Sequence, residues 1–313
     1  MKIAAVTMVK NECDIIELFI KINSKYFDHF FILDHFSTDG TAKIIQLLKN
    51  LGYPITYKPL LDKIYNQASI TTAEVRRVAS LDIYDYIMPI DADEFIYSES
   101  REFFKEVLFS SINSDGIASI PWVTYCPFKM DYFNVSAPLY SSFQARRFEP
   151  VQYYKVVLGS AFARRCKVAM GNHSAKSRIY KRDTTKLIGI QLQHVPVRSK
   201  EQIIRKAILG SHAFSMKKDR KKGEGFHWDV MADLIRKNGY ILSDFDFFNM
   251  SINYATESDN QPKNDLSDNL PRIGSKHDII EFGELAFINL VESFDAEIGR
   301  LATQVKNIKI FNF

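Results

Sequence analysis

The chain has little cysteine, glycine, proline or tryptophan: its 313 residues include 3 Cys, 13 Gly, 10 Pro and 2 Trp. Cys13, Cys126 and Cys166 are odd in number and widely spaced, which excludes a disulfide framework or a zinc cluster and predicts a reducing compartment. So little glycine and proline excludes a collagen-like or linker-dominated chain. No run approaches the ~18 consecutive apolar residues of a membrane-spanning helix, and residues 3–6, behind Met1 and Lys2, are too short for a signal-peptide core. A cytoplasmic protein is expected, at most peripherally associated with the inner face of a membrane. Charge of one sign is also scarce, since 41 Lys and Arg against 37 Asp and Glu leave +4. That excess is thin for a nucleic-acid binder and suits an anionic small ligand or a lipid surface. What is abundant is apolar: 46% of residues are hydrophobic, with 24 Phe and 15 Tyr, ample for a sizeable core.

Over residues 1–125, strand-like and helix-like patterns alternate at the spacing of βαβ units. Residues 3–9 read as a β-branched strand, and residues 14–23 place Ile15, Leu18, Phe19 and Ile22 on one helical face. Strands follow at 28–33 and 55–58, with a helix at 41–51 between them. Helices are predicted at 73–81 and 101–110, a buried strand at 86–90 and an extended segment at 116–125. This alternation predicts an α/β fold, a largely parallel sheet covered by helices on both faces. Beyond Pro127 the periodicity weakens. Residues 217–222 form a basic run expected in a solvated loop, and residues 256–276 have the polar composition of a linker or long loop. After it, Phe287, Val291, Phe294, Ile298, Leu301, Val305 and Ile308 recur at four- and three-residue steps. That seam predicts one long helix over 277–313, packed on the core or paired in a homodimer.

Chemistry concentrates at the predicted strand ends. Asp91, Asp93 and Glu94 crowd the end of an apolar strand, where like charges and desolvation are costly unless a cation compensates. Hard oxygen ligands at this spacing suit Mg²⁺ or Mn²⁺, although such residues also cap helices. After the second strand come Asp34, Ser37, Thr38 and Asp39, which are equally turn and capping residues. Lys10, Asn11 and Glu12 close the first strand. Ligands of open α/β sheets bind outside the carboxyl ends of the strands.

Taken together, Lys10-Asn11-Glu12, Asp34 with Ser37 to Thr41, Arg76 or Arg77 on a helix, and Asp91-Ala92-Asp93 resemble the nucleotide-sugar half of family 2 glycosyltransferases. The resemblance covers residues 1–125. It implies a GT-A fold, a Rossmann-like mostly parallel sheet flanked by helices, here with a C-terminal helical extension. Residues 126–255 would form the acceptor-side half that completes the metal and phosphate site. By the same resemblance, Lys10, Asn11, Glu12, Asp34, Ser37, Asp39, Arg76 and Asp91 would contact the donor, a nucleoside diphosphate sugar with UDP favoured. Asp93 would chelate the metal, and Asp91 would face the ribose or the metal. The pair after strand two is Asp34-His35 rather than Asp-Asp, and the motifs of processive members are absent, so transfer of a single sugar is expected. Gly171, Asn172 and His173, then His194, Arg198, Ser199, Lys206 and Gly210, resemble a divergent branch also similar to family 92.

The second group of residues has a physical case of its own. A phosphate leaving group needs cationic help, which Arg198 and Lys206 could supply around a helix starting at Ser199, with Ser199 as N-cap and Gln202 three residues on. His194 is the candidate third metal ligand beside Asp91 and Asp93. Inverting transfer needs a base for the acceptor hydroxyl; Glu149, His173 and Asp183 are candidates, with His173 or Asp183 preferred and Glu224 an outside choice. The expected activity is metal-dependent transfer to a hydroxyl of a surface polysaccharide or glycolipid. The alternatives are a sugar nucleotidyltransferase, whose Gly-rich phosphate loop is missing after strand one, and a non-catalytic glycan-binding or scaffold protein.

Overall fold

A computed structural model describes residues 1–61, 66–126, 145–146, 149, 151–215, 220 and 223–255. The linker expected at 256–276 and the helix at 277–313 lie outside these residues. The N-terminal half alternates as its sequence requires: β1 (Ile3–Val9), α1 (Ile16–Asn23), β2 (His29–Asp34), α2 (Thr41–Asn50), β3 (Ile55–Pro59), α3 (Gln67–Ala79) and β4 (Tyr86–Pro89). Then come β5 (Glu94–Tyr97), α4 (Arg101–Ser111), β6 (Ile117–Cys126) and the short β7 (Ala145–Arg146). The second half supplies β8 (Tyr154–Gly159), α5 (Ser160–Arg165), β9 (Cys166–Val168), β10 (Ala175–Ser177), β11 (Thr184–Lys186) and β12 (Gln191–His194). Helices α6 (Lys200–Ser215), α7 (Phe226–Lys237) and α8 (Asp244–Ile252) follow.

The main sheet runs β3-β2-β1-β4-β8-β6-β12-β5, and the block β3-β2-β1-β4 is wholly parallel. Alternate residues of these strands feed two separate cores, as a pleat with both faces covered demands. Ile3, Ala5, Phe30, Ile32 and Met88 pack with Phe19, Ile45 and Phe104 from α1, α2 and α4. Ala4, Val6, Phe31 and Ile87 face the other way, onto Val75 and Val78 of α3 and Phe162 of α5. The expected α/β architecture with helices on both faces is the one observed. A third core, including Ile203, Met231, Ile235 and Phe247, binds α6, α7 and α8 to one another.

Three details differ from expectation. Helix α3 starts at Gln67 rather than residue 73, because the Asn66 side chain caps a polar first turn by accepting from the Ser69 N–H at 3.3 Å. Strand β5 follows the acidic segment directly and pairs antiparallel with β12, setting His194 opposite Glu94. Strands β8 and β12 extend the sheet where periodicity had faded, since β8 is buried along nearly its whole length and shows no alternation.

Candidate active site

A cavity of about 380 Å³ opens at the carboxyl ends of β1 and β4. Its walls carry Lys10, Asn11 and Glu12 from the loop after β1, Asp91 and Asp93 after β4, and Arg205 and Lys206 from α6. Trp122 of β6, Tyr153, Lys155 of β8, His173, His194, His227, Trp228 and Tyr254 complete it. Parallel topology is what collects the first group on one edge.

The loop after β1 is wired to the loop after β2. Asn11 holds a φ of 57°, its N–H donates to Ser37 Oγ at 2.9 Å, and its Oδ1 accepts from the Thr38 N–H at 2.7 Å. Asp39 Oδ1 accepts from the Thr41 N–H at 3.0 Å and its Oδ2 lies 3.6 Å from Arg205. Asp34 is buried beside Val9 in the strand register and accepts from the Ser37 N–H (2.8 Å) and the Tyr57 hydroxyl (2.7 Å). Ser37, Asp39 and Asp34 therefore build the wall's backing and are not among its lining residues. Arg76 does not reach the cavity either: its Nε donates to the Cys166 carbonyl at 2.7 Å, tying α3 to β9. That differs from the donor-binding role expected for Arg76, whose place in the last turn of α3 carries it away from the cavity.

At the acidic strand end, two lysines divide the carboxylates. Lys155, with a side chain 1% exposed, donates to Asp91 Oδ2 and lies 3.0 Å from Glu94 Oε1. Asp91 Oδ1 accepts from Gln67 Nε2 at 3.1 Å and from Asn172 Nδ2 at 3.2 Å. Asp93 Oδ2 takes Lys206 Nζ at 2.7 Å, with Arg198 at 3.7 Å, and Oδ1 lies 3.8 Å from His194 Nε2. Arg198 is locked behind the wall by Asp14 (2.6 and 3.0 Å) and Glu12 (2.5 Å), and Lys206 also approaches Glu12 at 3.5 Å. Ser199 accepts from the Gln202 N–H at 3.1 Å, so the expected cap of α6 forms, and α6 delivers Arg205 and Lys206 to the cavity.

Electrostatics follow from this packing. Burial alone would raise Asp93, but Lys206, His194 and Arg198 outweigh it and hold the carboxyl well below its usual range. Burial pushes Glu94 up to about 8 despite Lys155, with Asp91 and Asp93 adding to the rise. Glu12 shifts upward for the same first reason. Burial also works against Lys155, yet Asp91 and Glu94 keep it charged. These shifts bring a carboxylate-rich cluster towards balance with its three cations.

A divalent metal on Asp91, Asp93 and His194 does not fit this donor set. Both Asp91 oxygens are engaged by Lys155, Gln67 and Asn172, and Asp93 Oδ2 is engaged by Lys206. Among the described residues no group of three His, Cys, Asp or Glu side chains is placed to hold a metal ion. His194 instead stacks on Trp122, with ring centroids 4.2 Å apart, beside Tyr254 at 5.6 Å. This is the correction to the expected metal triad.

Of the candidate bases, His173 lines the cavity, whereas Asp183 sits exposed just before β11 and is not part of it. Glu149 accepts from the Thr124 N–H at 2.7 Å. The His173 Nδ1 lies 2.9 Å from the Tyr154 carbonyl, an acceptor only, so Nδ1 carries the proton and Nε2 the lone pair. Burial lowers its pKa to about 4, Lys155 adding to the shift, and the ring is neutral at pH 7. Trp122 (5.3 Å) and Tyr153 (5.2 Å) hold it on two sides.

Sequence reasoning passed over Lys155, Gln67, Arg205, Trp122, Tyr153, His227, Trp228 and Tyr254. A single lysine inside the apolar run of residues 153–159 was the signal available for Lys155. The C-terminal aromatics offered none, because they meet only through the packing of α7 and of the chain after α8.

No protein-family profile matches the chain, and no curated protein matches it. Solved structures do. Residues 1–349 of TarS from S. aureus align with a TM-score of 0.38 and 12% identity over 80% of this chain and 81% of that one. The same segment in complex with UDP gives 0.39 and 11%, over 81% and 76%. The mannosyltransferase PcManGT from Pyrobaculum calidifontis, in complex with GDP-Man and Mn²⁺, gives 0.34 and 14%, over 76% and 71%. At these scores and identities, the function rests on the site's own chemistry.

Proposed function

We propose that the chain is a glycosyltransferase that moves one sugar from a nucleoside diphosphate sugar to an acceptor hydroxyl with inversion. The observation that carries this reading is the cavity at the strand ends, where Arg205 and Lys206, buried carboxylates and a neutral histidine converge. The motif order of residues 1–125 points the same way. Lys10 and Asn11, backed by the Asp34 loop, face the base and ribose, and Lys206 and Arg205 meet the diphosphate, where charge grows as the leaving group departs. His173 Nε2 takes the acceptor proton while the acceptor oxygen bonds to the anomeric carbon. The bond from that carbon to the diphosphate oxygen breaks, and its electron pair leaves with the nucleoside diphosphate. Trp122 and Tyr153 offer the aromatic faces on which sugar rings pack. A UDP-sugar and a surface glycan or glycolipid acceptor follow from the resemblance.

The test is product analysis. Incubating the protein with UDP- and GDP-sugars and a panel of glycan acceptors should release nucleoside diphosphate. Release of pyrophosphate from nucleoside triphosphate and sugar would show a nucleotidyltransferase instead, and donor binding without turnover would show a non-catalytic protein.

A further inference from the structure

The carboxylates at the end of β4 meet lysines at the positions where a metal is expected. Lys155 is not a surface side chain folded in by chance of rotamer. It issues from β8, inside the sheet, where its backbone pairs in register with Ile120 of β6. Its ammonium, with the side chain 1% exposed, lies against Asp91 and Glu94. An ammonium stripped of water at that depth is stable only against anions, which Asp91 and Glu94 supply. Each therefore fixes the other. A metal on Asp91 Oδ2 would compete with Lys155, and one on Oδ1 with the Gln67 and Asn172 amides. Lys206 stands likewise on Asp93, but its side chain is 25% exposed and lines the cavity, as does Arg205 at 30%. The buried lysine thus neutralises the strand end, and the partly exposed pair presents positive charge to whatever enters.

We infer that Lys155 and Lys206 take the place of a divalent cation: the donor diphosphate is met by Lys206 and Arg205, and its binding needs no metal ion. This rests on the nucleotide-sugar reading above. Lys155 is a positioning residue, holding Asp91 and Glu94, while Lys206 exchanges Asp93 for phosphate oxygens as the donor arrives. Lys206→Arg keeps the positive charge.

The experiment is calorimetric titration of the full chain with UDP and with GDP, once in excess EDTA and once in Mn²⁺, alongside electron paramagnetic resonance of Mn²⁺ mixed with the protein alone. One of the two nucleotides should bind with an affinity that chelation changes by less than about twofold, and the free Mn²⁺ signal should be unaltered. Lys206→Met should weaken that nucleotide roughly tenfold or more in EDTA, and Lys206→Arg should restore most of the loss. Binding that appears only with Mn²⁺, a Mn²⁺ signal quenched by the protein, or Lys206→Met binding as tightly as the parent would each overturn the inference and leave the donor reading standing. If neither nucleotide bound in either condition, the donor reading itself would fall and the inference with it. Should Lys206→Met not fold, the comparison of EDTA with Mn²⁺ on the unaltered chain decides alone.

Discussion

His173 draws its role from three neighbours. The Tyr154 carbonyl sets its tautomer, Trp122 and Tyr153 set its plane, and burial keeps it neutral. Gly171 gives it room: at φ 68°, a Cβ there would stand 2.6 Å from His173 Nε2. His173→Ala should lower turnover about 10²–10⁴-fold while leaving the dissociation constant for nucleoside diphosphate unchanged, as titration and initial rates on one sample will show. Gly171→Ala should act in the same direction by displacing the ring, although it removes no functional group. The titrating residues also give stability a pH signature. His173 and His227 are both lowered to about 4 from 6.5, His227 by burial first and by Lys206 second. Between those values the unfolded chain binds protons that the native chain does not, so stability falls as pH drops through the window, by about 1.4 kcal/mol per pH unit for each group at most. Glu94 runs the opposite way. Raised from 4.5 to about 8, it contributes stability below 4.5 that is lost as pH rises towards 8. Melting temperatures across pH should therefore show a flattened acid limb in His227→Asn and a flattened alkaline limb in Glu94→Gln.

Among the elements, α6 connects the acidic strand end to the C-terminal helices. Its start is fixed by the Ser199 cap and by Arg198, which is gripped by Asp14 and Glu12. Its next turns present Arg205 and Lys206 to the cavity, and Gly210 lets the Trp228 ring approach so closely that a Cβ would meet it at 2.9 Å. Ser199→Ala should cost about 1 kcal/mol, the ordinary value of a cap. Arg198→Met should cost more, roughly 3 kcal/mol, because partly buried Asp14 loses its cation and Glu12 is left with Lys206 alone. Chemical denaturation of both variants checks the ranking. If the two costs were equal, the buried pairings of Arg198 would contribute little to holding α6. At this scale the sequence was readable in part: the Ser199-to-Gln202 spacing announced the cap, and the apolar stripe of α1 announced its face. The start of α3 was not legible, because its first six residues, Gln67 to Thr72, hold only Ala68 and Ile70 as apolar residues among polar ones. Its helical state depends on the Asn66 cap and on Thr72, which bonds the Val168 N–H of β9 at 2.9 Å.

For the molecule as a whole, two cores on opposite faces of one sheet leave the strand ends as the edge where loops from distant parts of the chain meet. A ligand there would meet β1, β6, β8, α6 and the segment after β4 at once, so binding would favour the folded chain. UDP or GDP at a hundredfold excess over its dissociation constant should stabilise the protein by about 2.7 kcal/mol, a rise in melting temperature that scanning fluorimetry detects. A nucleotide panel without any such rise would contradict a donor site at this edge. Among the described residues no helix is long and apolar enough to cross a membrane.

The order of residues in the chain determined the alternation of strands and helices, the two-faced burial of β1, β2 and β4, and the clustering of Lys10 to Glu12 with Asp91 to Asp93. Each is a matter of local period or of position at a strand's end, and both are written in neighbouring residues. The partners of those charges were decided elsewhere. Lys155 stands 64 residues from Asp91 and Lys206 stands 113 from Asp93. Whether a carboxylate faces a metal or an ammonium depends on which distant strand or helix the sheet order brings beside it. The acidic triplet read alone called for a cation, as desolvation requires. Packing supplied it from β8 and α6, because a lysine fixed on the adjoining backbone satisfies the same buried charge without an ion from solution.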